Sequence, residues 1–167
     1  MLRGRANMGE PLFPAVAFLA ARGMEPCWLS RPPSGEIIRA QASDLSAARR
    51  LRTQIRRHHA MQSHTTEPPK VLFDVEFHLA ADARTARHEL GARSRTVQEN
   101  ITYVGTSPGL AGLIADMMAA EVADGVILRP LSDELSNRLA TLIVVEVMPV
   151  LQQQIRGALA PVAMAHA

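Results

Sequence analysis

Residues 71–79 read VLFDVEFHL, and apolar and polar positions alternate through most of the stretch. As a strand it puts Val71, Phe73, Val75, Phe77 and Leu79 on one face, because successive side chains point to opposite sides. Leu72, Asp74, Glu76 and His78 then share the other face. Elsewhere the period lengthens to that of a helix, with Leu45, Ala48, Leu51 and Ile55 in one segment. In another, Leu110, Leu113, Ile114, Met117 and Met118 repeat at three and four. The short apolar runs EPCWLS (25–30) and VILRP (126–130) read as further strands, one ended by RPPSGE and one broken by Pro130. ITYVGTSPG (101–109) reads as a short extended segment closing in a turn.

Helix starts and stops follow from caps and breakers. The basic segment becomes a helix from about Ser43, with Ser43 or Asp44 as N-cap. Residues 81–100 form a second helical stretch capped by Asp82, and residues 110–123 a third, stopped by Asp124-Gly125. The last helix starts at a Ser132 or Asp133 cap, and Pro149 predicts a kink or break in it. The final residues, PVAMAHA, read as frayed. Strands alternating with helices of this length predict parallel βα units. A complete eight-stranded (β/α) barrel takes about 250 residues. The 167 residues here predict part of a barrel or a small open α/β sheet.

Charge adds one question to this frame. Residues 1–70 hold 11 Lys/Arg against 5 Asp/Glu, and residues 71–167 hold 7 against 11. The basic excess is densest in ARRLRTQIRRHH (48–59), where helical spacing of the apolar residues makes the arginines an outer, solvated face. With aromatics at 4%, a base-stacking surface is poorly supplied, so a nucleic-acid partner ranks last. Cys27 is alone, and the six histidines show no ligand spacing, so no metal site is expected. The run LFPAVAFLAA near the N-terminus imitates a signal peptide, but Glu10, Pro11, Pro14 and Arg22 argue against one. With no apolar run long enough to span a bilayer, a cytoplasmic protein is expected.

The segment VGTSPGLAGLIADMMAAEVADGVILRPL, followed by VVEVMPVLQQQ, resembles the C-terminal part of luciferase-like, flavin-dependent monooxygenases of the nitrilotriacetate and alkanesulfonate monooxygenase type. The resemblance rests on the turn Gly105-Thr106, the pair Asp124-Gly125 before an apolar strand ending at Pro130, and Pro149-Val150-Leu151-Gln152 in the last helix. The family's Gly-Thr-Pro turn has its proline one place later here, as Gly105-Thr106-Ser107-Pro108. The likeness covers residues 25–155 as one α/β domain, with 1–24 an N-terminal segment of unassigned structure and 156–167 a tail. It implies the later strand–helix units of a TIM barrel, without the family's N-terminal half.

For function, the resemblance implies an oxidoreductase that uses reduced FMN, supplied by a separate reductase, and dioxygen on a small organic substrate. Deazaflavin is the other cofactor found on this fold. In a barrel the loops after the strand ends carry the chemistry. The face of Asp74, Glu76 and His78 then looks inward, with His78 nearest the active end as the catalytic candidate. Arg129 is the candidate for the cofactor's anionic group, and Glu76 and Leu131 for contacts to substrate. The alternative is a non-catalytic, truncated or degenerate half-barrel that pairs with another copy or a partner chain, since open sheet edges favour association.

Overall fold

The computed structural model of the chain describes residues 13–21, 24–62, 67–91, 99–131 and 136–163. Its centre is β4 (Lys70–Leu79), the VLFDVEFHL strand with Lys70 added. It runs parallel to β3 (Ile37–Ala40), β5 (Ile101–Gly105) and β6 (Gly125–Pro130). β6 takes one edge of β4, from Leu72 to Phe77. The other edge is shared, with β3 along Lys70–Phe73 and β5 along Val75–Leu79. Beyond β6 lie β1 (Ala15–Phe18), parallel to it, and the two-residue β2 (Cys27–Trp28), antiparallel to β1. The result is a curled, mixed sheet with helices, in the order β2-β1-β6-β4 with β3 and β5 on the far edge.

The alternation read in β4 organises both faces. Val71, Phe73, Val75 and Phe77 enter the main core with Leu110, Ile114 and Met117 of α3 (Ser107–Ala119) and Leu151 of α5 (Met148–Ala163). On the opposite face Leu72 joins Ala15, Ala17, Leu19 and Ile127, with Trp28 packed against them. Gly125 stands beside Ala15 in the β1–β6 ladder, and a Cβ at Gly125 would overlap the Ala15 carbonyl oxygen. Only glycine lets these two strands pair.

Several expectations change. The run at 25–30 supplies only Cys27–Trp28, as an antiparallel edge and not as the start of a βα unit. Ser30 beyond it uses its hydroxyl to link the Val16 N–H and the Pro14 carbonyl, which anchors β1. The parallel strand that precedes the basic helix is instead Ile37–Ala40. β1 lies in the signal-like run and is buried on both faces, which erases any alternation. Successive barrel strands are neighbours, yet β6 lies against β4 and not against β5.

α1 (Leu45–Gln62) starts after Asp44, whose carboxylate accepts the Ala47 N–H at 2.7 Å. Asp82 likewise accepts the N–H groups of Arg84 and Thr85 at the start of α2 (Ala83–Gly91). α3 starts earlier than its apolar pattern, at Ser107, with Thr106 as N-cap. It stops at Ala119, where Glu121 follows with a left-handed φ of 53°. Ser132 and Asp133 fall outside the described residues. α4 (Ser136–Leu142) passes without a break into α5 through a π-helical turn at Ile143–Val147. Pro149 therefore does not interrupt the helix. It has no N–H for the carbonyl four residues back, and the wide turn before it, with Met148 N–H bonded to Ile143, accommodates that loss.

Two arginines of the basic helix are structural. Arg52 and Arg56 both reach the Asp124 carboxylate, at 2.9 and 2.8 Å, and Arg52 also donates to the Glu121 carbonyl. Asp124 accepts the Val71 N–H as well, so one carboxylate ties α1 to β4 and to the entry of β6. Burial pushes this carboxyl up, but Arg52, the Val71 N–H and Arg56 outweigh it and hold it below the usual aspartate range.

Candidate functional site

All parallel strands of this sheet point their carboxyl ends the same way, and there the described residues form a cleft of about 790 Å³. Its walls are the end of β4 (His78 to Ala81), α2 (Thr85, Glu89, Leu90) and α4 (Arg138, Leu139, Leu142). Ligands of parallel α/β folds bind outside the carboxyl ends of strands, and this volume lies within the range of small-molecule sites. Most of the lining residues are apolar, and the polar ones are His78, Thr85, Glu89 and Arg138.

His78 is the sequence candidate that the fold brings to this cleft. Its side chain is 15% exposed, and Nε2 lies 2.7 Å from Glu89 Oε2. The pairing is chemical as well as structural. In the neutral tautomer that carries its proton on Nε2, the Glu89 carboxylate accepts a hydrogen bond from Nε2–H, and Nδ1 is left as an acceptor. Glu89 is reached only because α2 folds back over the end of β4, and its signal in the sequence is a bare acidic position on a helix. Arg138 is exposed and comes from a helix 60 positions further along the chain. No local pattern connects it to His78.

Arg129 and Glu76 are brought together, but away from the cleft lining. They are cross-strand partners in the β4–β6 ladder, and the guanidinium donates to Glu76 Oε1. Asn100 donates to the same oxygen at 3.2 Å, and its own Oδ1 is buried with no protein partner. The side chains of Arg129 and Glu76 are 11% and 17% exposed. Asp74, fully buried, is clamped by Arg39 with two hydrogen bonds of 2.7 and 2.6 Å, which raise the Arg39 pKa. The polar face of β4 is therefore a row of internally matched charges. Leu131 sits at the end of β6, half-buried, with its N–H on the Phe77 carbonyl.

The start of α3 is also occupied. The Tyr103 hydroxyl accepts the Thr106 N–H, and the Thr106 side chain accepts the Gly109 N–H. Ser107 donates to Glu146 of the π-helical turn at 2.6 Å. These contacts use the donors that would otherwise attract an anion to a helix N-terminus. A second, more open concavity runs along the outside of α1, lined by Arg49, Arg50, Arg57 and His58. Among the described residues no cluster of three His, Cys, Asp or Glu is placed to hold a metal ion. Among the same residues no helix is long and apolar enough to cross a membrane.

No protein-family model matches the chain. No curated protein matches it either. Among solved structures it is similar to EDTA monooxygenase (EmoA) from Chelativorans sp. BNC1, with a TM-score of 0.55 and 18% identity. The match covers 72% of this chain and 40% of that one. The likeness establishes a shared α/β fold over that part, and this chain spans less than half the length of the enzyme it matches.

Proposed function

We propose that this chain is the later part of a luciferase-like barrel and works as a flavin-dependent oxidoreductase of the monooxygenase type. One observation carries the proposal: the cleft at the carboxyl ends of the parallel strands contains a histidine oriented by a carboxylate. The motifs from Gly105 to Gln152 and the structural likeness to a monooxygenase support the same reading.

The cleft fits a flavin in kind. Leu79, Leu90, Leu139 and Leu142 offer apolar walls for a flat ring system, and His78, Thr85 and Arg138 offer polar contacts at its border. A bound reduced flavin supplies the two electrons that let one atom of dioxygen enter the organic substrate while the other leaves as water. The chain's own residues orient and exclude. Glu89 fixes the His78 ring, and Nδ1 of His78 accepts a proton from a bound group or, once charged, donates one to it. The leucines keep water from the reacting face. A deazaflavin has the same flat ring and polar border for this cleft to bind, but would transfer hydride without the oxygen chemistry.

The test is a fluorescence titration of the purified chain with FMN, first oxidised and then reduced without oxygen. Saturable micromolar binding is expected. A folded chain that binds neither form would overturn the proposal.

A second reading has its own support. The sheet ends at β3, whose side chains alternate between exposed and half-buried, with Ile37 40% exposed. A partner chain or second copy that adds strands at this edge would complete the barrel. Light scattering distinguishes the two: this reading expects a stable dimer or a required partner, and a monomer that binds flavin alone contradicts it.

A further inference from the structure

We infer that Arg138, on α4, anchors the phosphate of the bound flavin, in the role for which Arg129 looked suited in the sequence. The inference rests on the flavin reading above and adds which end of the cofactor points where. Arg129, Arg39, the start of α3 and His78 are each already engaged, whereas Arg138 is placed to receive an anion.

Arg129 already has a carboxylate on it. Drawing its guanidinium onto a phosphate would leave Glu76 without its strongest partner, and Glu76 is only 17% exposed. An uncompensated buried charge of that kind is costly. Arg39 is held by Asp74 in the same way, on the other side of β4. The N-terminus of α3 is closed by the Tyr103 phenol, and Glu146 beside Ser107 places negative charge where a phosphate would sit. His78 faces Glu89.

Arg138 differs on each count. It is exposed, it lines the cleft, and among the described residues no carboxylate is paired with it. It comes from α4, whereas the cleft's acid, Glu89, comes from α2. Among the described residues the cleft therefore carries its one lining arginine on the α4 wall and its one lining carboxylate on the α2 wall, with leucines on both. An elongated ligand with an apolar ring and a phosphate at one end matches that polarity when the phosphate lies on the α4 side. Guanidinium suits the task, since it meets phosphate oxygens with two parallel hydrogen bonds.

The experiment compares FMN with riboflavin, which has the same ring and no phosphate, by flavin fluorescence on the full chain. The wild type is expected to bind FMN about tenfold or more tightly than riboflavin, as for a charge-assisted hydrogen bond. Arg138→Gln is expected to lower FMN affinity to the riboflavin level while riboflavin affinity stays unchanged, which also reports that the cleft is intact. Arg138→Lys is expected to recover part of the difference, and Arg129→Lys to keep the wild-type ratio. Equal affinity of the wild type for FMN and riboflavin would overturn the anchor and leave the flavin reading standing. So would an Arg138→Gln protein that still prefers FMN, or an Arg129→Lys protein that loses the preference. If the folded wild type binds neither flavin, the flavin reading fails and the anchor fails with it.

Discussion

Glu76 and Arg129 stand opposite each other across the β4–β6 ladder, and the carboxylate of one accepts a hydrogen bond from the guanidinium of the other. Both were candidates for contact with a ligand, and each instead neutralises the other. Removing one partner strands the other charge in a poorly hydrated place. Glu76→Gln is expected to lower stability by about 3 kcal/mol. Replacing both, as Glu76→Leu with Arg129→Met, is expected to recover most of that loss. Urea denaturation midpoints at constant slope measure both.

Asp124 gives the fold a pH dependence whose sign can be worked out. Its carboxyl is held below the ordinary value in the folded chain, chiefly by Arg52, the Val71 N–H and Arg56, against the opposing effect of burial. A group with a lowered folded pKa contributes stability that is fully present above its unfolded value, near 3.8, and is lost as pH falls through the folded value. Asp124→Asn is expected to cost about 2 kcal/mol at neutral pH. The difference from the wild type should shrink as the pH falls below about 4. A difference that stays constant down to acid unfolding would contradict the network's role.

The turn that opens α3 depends on Gly109 lying under the Tyr103 ring, where a Cβ would overlap the phenol oxygen. Gly109→Ala is expected to destabilise by about 2 kcal/mol through this overlap. Tyr103→Phe removes that oxygen, so the double variant should be more stable than Gly109→Ala alone. Thermal unfolding of the four proteins closes the cycle.

For the site, His78→Ala is expected to reduce turnover of reduced flavin and dioxygen by on the order of a hundredfold. Glu89→Gln should reduce it less, about tenfold, because Glu89 acts through the orientation of the His78 ring. Steady-state oxygen uptake measures both, and unchanged turnover in His78→Ala would remove this histidine from the site.

What could be seen in the chain beforehand follows from physical range. The alternation of VLFDVEFHL was legible, and so was the division of β4 into a core face and a polar face, because side-chain direction is a local property of a strand. β1 was not legible, since a strand buried on both faces has no period to detect. Within α1, the sequence did not separate Arg52 and Arg56 from Arg49, Arg50 and Arg57. Their partner, Asp124, is 72 and 68 positions away from them. The same limit governs the site. His78 could be singled out from its place at a strand end, whereas Glu89 and Arg138 become its neighbours only through the packing of α2 and α4. Arg129 illustrates the converse: its position invited a ligand, and a residue on the adjacent strand had already claimed its charge.

The most direct measurement is an NMR titration of the isotopically labelled chain with FMN, following each backbone amide. The proposed cleft predicts saturable shifts concentrated at 78–90 and 138–142, with little change along α1. Shifts centred on the arginines of α1, or no saturable shifts in a folded chain, would contradict it.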